Sequence, residues 1–421
     1  MELFEPPPCR QAPAGGRPLT PSHAFTCVLA TTAAEAEQLR PEWTELLERS
    51  ERNELTLSPE WLLTWQRVYG SQQGRQLRIA LFRDSGRLVG LAPLSLRRHW
   101  YRGVVPFRRL EFLASGEREG HGVCSNHLNV IAERGAEEAV ARRLVVALTD
   151  GTLGAWDEAV LPMMDGDGPM PALLTAAFRE AGLTVETTET ARAPYISLPK
   201  TWEDYLKSLS CTHRRQVTRS LRAFEEWADS AARLERVTDA AELEKATRVL
   251  IDLHHARWEG DGQSGVFHSP NFLQFHDAIL RTLLERGALE LHQLTVRGEP
   301  VAALYGMTWG DKTITYQTGR SVNVPNSVRP GGVILAYAVR AAIEAGRREF
   351  DFLADEAPYK LQMASASRSL IQLRAHRGGP REKARRLMER CFDGVRVLRR
   401  KLFSRDPKGS AGEERSPSGR G

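Results

Sequence analysis

Apolar residues along the chain change spacing in a fixed order, and the order occurs twice. Thr31-Thr32-Ala33-Ala34-Glu35 opens a stretch of helical periodicity, and Thr238-Asp239-Ala240-Ala241-Glu242 opens another. In each, a capping residue (Thr32, Asp239) stands three positions ahead of a glutamate, the spacing of a capping box. Ser58-Pro59-Glu60-Trp61 then returns as Ser269-Pro270-Asn271-Phe272, where serine suits the N-cap and proline the first helical turn. These helices are expected to run out at Gly70 and Gly287. Strands follow at 77–82 and 289–296, then turns at Asp84-Ser85-Gly86 and Arg297-Gly298-Glu299, then strands at 88–96 and 301–309, two hairpins. The repeated order of cap, Ser-Pro helix and hairpin indicates a duplication.

In the second copy a third strand, 313–318, completes an antiparallel meander. Pro325 and Pro330 lie in a loop leading to a helix over 331–345 that Gly346 terminates. Phe350-Asp351-Phe352-Leu353 reads as a buried strand, and a last strand is expected at 370–376. The fold class is α/β (mixed α+β): two tandem repeats, each a mainly antiparallel twisted sheet flanked by helices. The expected division is a disordered leader over 1–24, a first repeat over 25–200, a second over 201–380, and a basic amphipathic helix with a disordered tail over 381–421.

Charge changes the picture only at the end. The net charge is +5, yet residues 381–408 hold eleven Lys and Arg against four acids, so the body is not basic. There, Leu387, Cys391, Val395, Leu398 and Leu402 recur at helical spacing among Arg385, Arg386, Arg390, Arg396, Arg399, Arg400 and Lys401. Such a helix suits an anionic membrane surface, or packs on the body with its arginines solvated. Nucleic acid is not an expected partner, because no stacking aromatics accompany the charge. No run approaches the ~18 apolar residues of a membrane span, and the N-terminus has no signal-peptide pattern. Five scattered cysteines without Cys-x-x-Cys spacing fit a reducing cytoplasm, with peripheral contact at the inner membrane face as the extension. No metal site is expected. His254 and His255 are adjacent and point apart on a helix, His121, Cys124 and His127 lack a fourth ligand, and His268 is given no role.

The element that carries chemistry is the strand at 313–318 followed by Arg329-Pro330-Gly331-Gly332 and a helix. Unpaired N–H groups and the partial positive charge of a helix N-terminus suit an anion, and paired glycines allow close approach, so a pyrophosphate fits. A plain Pro-Gly helix start without ligand is the other reading. The first copy lacks this motif. Its loop over 115–126 carries Gly116, Gly120 and Gly122 and runs into an expected strand at 127–131, so that copy is expected to be degenerate, a scaffold lining the acceptor site. The chain has no Gly-x-Gly-x-x-Gly after a first strand, which excludes a nucleotide-binding Rossmann enzyme.

Leu250 through Trp258, Ser269-Pro270, Arg297-Gly298, Val301-Ala302, Arg329-Pro330-Gly331-Gly332, Gly346, Phe350-Asp351-Phe352 and Tyr359-Lys360 together resemble the bacterial BioF-like acetyltransferase domain of the GNAT superfamily. That branch includes cellulose-biosynthesis proteins and is related to the Fem peptidoglycan aminoacyltransferases. The resemblance covers about residues 200–378, with Arg214-Arg215 on an Arg-rich leading helix. Two positions depart from the family: Arg329 where serine is common, and Ala354-Asp355 where glycine precedes the acid.

The resemblance implies N-acyl transfer from acyl-CoA, acetyl-CoA first, to a small-molecule, glycan or peptide amine. Gly331, Gly332 and Val333, with Arg329, would take the pyrophosphate. Tyr316 and Thr318, on the strand segment 316–319, would bond the pantetheine arm. Tyr359 would protonate the leaving thiolate. Asp351, buried between two phenylalanines, would be base or amine anchor or else a structural ion pair, with Lys360, Arg214 or Arg215 as partner. Lys360 joins the catalytic set, and Arg214, Arg215 and Trp258 the acceptor side. Two alternatives stand: a Fem-like transferase using aminoacyl-tRNA, and a non-catalytic scaffold of an envelope pathway.

Overall fold

A computed structural model describes residues 25–260, 265–325 and 327–403, so the predicted leader and the segment 404–421 lie outside it. The caps form as their chemistry dictates. Thr32 Oγ1 accepts from Glu35 N at 3.2 Å while Glu35 Oε2 accepts from Thr31 N and Thr32 N, and Asp239 Oδ1 accepts from Ala241 N at 2.9 Å. The Ser58 and Ser269 hydroxyls accept from Trp61 N and Phe272 N at 3.2 and 3.3 Å.

The first copy comprises β1 (Thr26–Ala30), α1 (Ala33–Gln38), α2 (Arg40–Arg49), α3 (Pro59–Tyr69), β2 (Gln76–Asp84), β3 (Arg87–Tyr101), β4 (Val105–Phe112), β5 (Ile131–Ala132), α4 (Glu137–Thr149), β6 (Glu158–Asp165), α5 (Pro169–Glu180) and β7 (Thr184–Ser197). The second comprises α6 (Trp202–Ser208), α7 (Cys211–Ala228), β8 (Ala232–Arg236), α8 (Ala240–Gly260), α9 (Pro270–Glu285), β9 (Leu289–Val296), β10 (Glu299–Trp309), β11 (Lys312–Arg320), α10 (Pro330–Glu344), β12 (Glu349–Asp351), α11 (Pro358–Met363) and β13 (Ala366–His376), with α12 (Pro380–Phe403) after it. The strand expected at 127–131 shrinks to the two residues of β5. His127 takes the left-handed φ of 59°, which cannot continue a ladder, and its side chain is held elsewhere, as described below.

The two copies share one 13-stranded sheet, twelve strands in the order β1-β2-β3-β4-β6-β13-β7-β12-β11-β10-β9-β8 and β5 pairing with β3 beside them. Only β4–β6 and β11–β12 pair in parallel among these neighbours. The last strands are exchanged: β13 of the second copy pairs with β6 of the first, and β7 of the first pairs with β12 of the second. A boundary near residue 200 therefore divides the chain but not the sheet.

Strand alternation gives β10 two faces. Ala303, Tyr305 and Met307 face a core that runs through both copies, and Ala302 and Leu304 face a second core beneath α7 and α10, with Phe224, Val333 and Phe350. Within the first core α3 and α9 meet, Trp61 standing edge-on to Phe275 at 4.9 Å. Polar links tie the copies as well: Arg286 Nη2 to Glu60 at 2.5 Å, Lys312 Nζ to Glu54 at 2.5 Å, and Trp309 Nε1 donating to Asn53 Oδ1 at 2.7 Å.

Two irregularities in the second copy position the site. β12 pairs with β11 only at Lys312, Thr313 and Ile314, whereas β11 continues to Arg320. From Thr315 onward that edge of β11 has no strand beside it among the described residues. In addition, the register against β10 slips between Tyr305 and Gly306, leaving Tyr316 as a bulge. Glycine is required at both contacts that shape this strand: a Cβ on Gly306 would stand 2.6 Å from the Ile314 carbonyl oxygen, and one on Gly319 would stand 2.7 Å from His254 N where α8 crosses. Among the described residues no helix is long and apolar enough to cross a membrane.

Candidate functional site

Where β11 and β12 part, a cleft of about 350 Å³ opens. β11 supplies Thr318 through Arg320, the α10 start supplies Arg329 to Val333, and α11 supplies Tyr359. Across from them α7 presents His213, Gln216, Val217 and Ser220, and α8 presents Arg257.

The α10 start is a sharp turn. Arg329 holds φ 47° and ψ 56°, a left-handed conformation uncommon for a residue with a side chain. Pro330 has no N–H. Gly332 N and Val333 N donate to the Arg329 carbonyl at 3.0 and 3.2 Å, so the predicted three-amide cradle is narrowed to the Gly331 N–H, which has no acceptor a turn earlier. A Cβ on Gly332 would meet nothing within 4 Å, so this position faces open space. Three guanidinium-bearing residues, Arg257, Arg320 and Arg329, line the same cleft. None of the three has an ion-pair partner among the described residues, and Arg257 Nη1 lies 3.5 Å from Thr318 Oγ1. Buried carboxylates usually neutralise such groups, so a cluster without them attracts a polyanion.

Tyr359 stands at the inner wall. Burial raises its phenol above the usual value, Arg257 opposes the rise and Asp355 adds to it, so the hydroxyl stays protonated through neutral pH and has a proton to give. Tyr359 is delivered by the loop from β12 to α11, in which Leu353 and Asp355 hold φ of 58° and 99°. Side chains at positive φ cost of order 1–3 kcal/mol each and persist where the surroundings impose them.

Asp351 ends β12, buried, but its partner is neither Lys360, Arg214 nor Arg215. His127 of the first copy places Nε2 3.0 Å from Asp351 Oδ2, and Leu353 N donates to Oδ1 at 2.7 Å. Burial opposes charge on both groups, yet the mutual hydrogen bond and attraction raise the His127 pKa and lower that of Asp351. Both shifts favour the ionised pair, and both carboxylate oxygens are engaged, which leaves Asp351 an anchor. Lys360 instead donates from Nζ to the Ala354 carbonyl at 2.9 Å, and burial lowers its pKa against the pull of Asp355 and Asp351.

Of the residues expected from the sequence, Thr318, Arg329, Gly331, Gly332, Val333 and Tyr359 come together in the cleft. Others do not. The Tyr316 side chain turns inward, its hydroxyl donating to the Val123 carbonyl at 2.5 Å and accepting from His276 Nε2 at 3.0 Å. Burial holds His276 neutral, its pKa pushed down to about 3. Arg215 is exposed, and Arg214 reaches only Cys211 Sγ at 3.7 Å, because α7 turns its 213, 216, 217 and 220 positions to the cleft. That i, i+3, i+4, i+7 set is one face of the helix, and the arginines lie off it. Trp258 lies beside the cleft under Arg257, with Nε1 buried and unpartnered.

Zinc is not supported at His121, Cys124 and His127, since His121 Nδ1 contacts Ser269 Oγ at 2.8 Å and His127 is held by Asp351. Among the described residues the grouping with ligand-like spacing is Glu186, His376 and Glu382. Its carboxylates are taken by Arg374, Arg385 and Arg386.

Residues 212–361 match the family model described as Acetyltransferase (GNAT) domain. No curated protein matches the chain. Among solved structures the fold is similar to that of FemX, with a TM-score of 0.54 at 12% identity over 79% of this chain and 95% of that one. It is also similar to a conserved protein of unknown function from Bacteroides thetaiotaomicron, with a TM-score of 0.50 at 12% identity over 83% and 99%. The chain thus has a mixed α/β fold built on one large, mainly antiparallel sheet, and the stretch that matches the GNAT acetyltransferase model lies within the second copy.

Proposed function

We propose that the chain is an N-acyltransferase that moves an acyl group, acetyl first, from acyl-CoA to an amine, with the donor bound in the second copy. The observation that supports this most is the coincidence of three features in one cleft. An unpaired strand edge (β11 from Thr315 to Arg320) can bond an extended pantetheine arm as an added strand would. At its end the Arg329–Gly332 turn and three unneutralised arginines face the place where a pyrophosphate would lie. Tyr359 stands within the same walls as a proton donor.

In this reading a neutral amine attacks the thioester carbonyl. The N–C bond forms, the C–S bond breaks, the amine releases a proton to solvent, and Tyr359 protonates the departing thiolate before regaining a proton from water. Backbone N–H groups on the edge of β11 that β12 leaves uncovered stabilise the carbonyl oxygen as it gains charge. The first copy contributes no donor site. It buttresses the reaction centre through His127 and the Val123 carbonyl. The acceptor is, by the BioF-like resemblance, an amine of an envelope or polysaccharide pathway.

Radiolabelled acetyl-CoA and longer acyl-CoAs, offered with a panel of amines and with charged tRNA, test the reading. Thioester consumption with thermal protection by acyl-CoA is expected. Transfer from charged tRNA alone would overturn the donor assignment, and absence of any acyl-CoA binding would leave a scaffold.

A further inference from the structure

The α12 helix is amphipathic with its faces reversed. Where it meets the body the contact is charged: Glu382 and Arg385 are buried, Glu382 Oε2 takes Arg374 Nη2 at 2.6 Å, and Tyr101 donates to Glu389 Oε1 at 3.0 Å. The apolar stripe points the other way. Leu387 is 63% exposed and Cys391, one turn on, is exposed too. Leu398 and Leu402 continue that spacing in the sequence. On the body-facing side of the helix, at the level of Glu389, Phe392 is 44% exposed with Arg102 over its ring at 4.2 Å, so the outer end of that contact is apolar too. The β3–β4 hairpin that carries Arg102 also exposes Trp100 and Val104, 47% and 63%. The cations here, Lys383, Arg390, Arg98 and Arg102, have no ion-pair partner among the described residues.

We propose that α12 and the tip of the β3–β4 hairpin form a docking face for an anionic lipid surface. A helix normally buries its apolar stripe against the body, and this one spends its polar face there, latched by the Glu382 and Glu389 contacts. The stripe is therefore left for a partner that is apolar within and negative at its edge, which describes an acidic bilayer interface. A second copy fits poorly, since residues 381–408 carry a surplus of seven positive charges and self-pairing would set like charges together. Nucleic acid would use the cations and leave the leucine stripe in water.

Flotation of the full chain with vesicles of phosphatidylcholine, with and without about 30 mol% phosphatidylglycerol, tests this. Binding only to the anionic vesicles is expected, lost as salt rises from about 0.1 M to about 1 M. Leu387→Asp should weaken it by roughly tenfold, and Lys383→Glu with Arg390→Glu by a similar factor. Both changes lie at exposed positions, and circular dichroism and acetyl-CoA binding should be unaltered. No partitioning into anionic vesicles, partitioning indifferent to Leu387→Asp, self-association that Leu387→Asp abolishes, or tRNA binding that persists in Leu387→Asp would each overturn the proposal.

Discussion

Replacing His127 tests whether the two copies are coupled through a charge. His127 Nε2 and Asp351 Oδ2 are 3.0 Å apart and both side chains are almost fully buried, 5% and 1% exposed. Once the imidazolium is gone Asp351 keeps the Leu353 amide and the more distant charges of Lys312, Lys360 and Arg368, none of them within hydrogen-bond reach of the carboxylate. Breaking a buried pair by removing one partner costs about 3–5 kcal/mol, because the remaining charge is stranded. Asparagine is the informative replacement. It tolerates the left-handed φ of 59° found at this position, so the loss reports the charge rather than backbone strain. Asp351→Asn leaves a neutral imidazole, a smaller penalty, and the double variant should recover part of the loss, with a coupling of about 0.5–3 kcal/mol.

The pH dependence follows from the shift directions. His127 is raised in the folded state, so its contribution is fully present below the unfolded value of about 6.5 and fades as pH climbs through the higher folded value. Asp351 is lowered, so its contribution is present above about 3.8 and fades as pH falls through the lower folded value. Urea midpoints measured from pH 5 to 9 should therefore decline on the alkaline side in the native protein and flatten in His127→Asn and Asp351→Asn. Identical alkaline slopes in native protein and His127→Asn, or an imidazole found by NMR to titrate below its ordinary value, would refute the ion pair.

Gly332→Asp sets a carboxylate where a Cβ meets nothing within 4 Å, so the fold should hold while acetyl-CoA affinity by calorimetry drops by at least about tenfold; unaltered affinity would remove the phosphate role. Tyr359→Phe should lower kcat by roughly 10²–10⁴-fold with little change in KM, and a drop in KM or thermal stability instead would make the residue structural. Gly306→Ala forces a Cβ against the Ile314 carbonyl oxygen and should cost about 1–3 kcal/mol, read from the denaturant midpoint; a neutral effect would mean that the strand pair tolerates another register.

Local physics made much of this molecule readable from its sequence. Caps, hairpin turns and the Pro-Gly-Gly helix start depend on residues within a few positions of one another, and Thr32, Ser58, Asp239 and Ser269 do what their chemistry requires. The cleft was legible on its donor side for the same reason, because Thr318 and Arg329 through Val333 are close along the chain. What was hidden lies far apart. His127 reaches Asp351 across 224 positions, and no periodicity announces it. Tyr316 was assigned to the donor from its strand, but a bulge turned its ring into the core. The resemblance points to Arg214 and Arg215, while helical geometry gives the cleft their neighbours His213 and Gln216.

The strand exchange decides how the duplication must be understood. If each repeat closed its own sheet, residues 201–380 would fold and bind donor alone. Instead β12, which carries Asp351, pairs on one side with β11 and on the other with β7 from the first copy, and β13 sits between β6 and β7. A fragment starting at residue 201 would lose the strand that holds β12 in place and the imidazolium that balances its carboxylate, and β13 would lose both neighbours. Expressed alone, it should show no cooperative unfolding transition and no acetyl-CoA binding. Co-expression with residues 25–200 should restore both, since the exchanged strands can pair across a chain break. A fragment 201–380 that folds and binds donor unaided would mean that the exchange is dispensable and that the first copy is only an appendage.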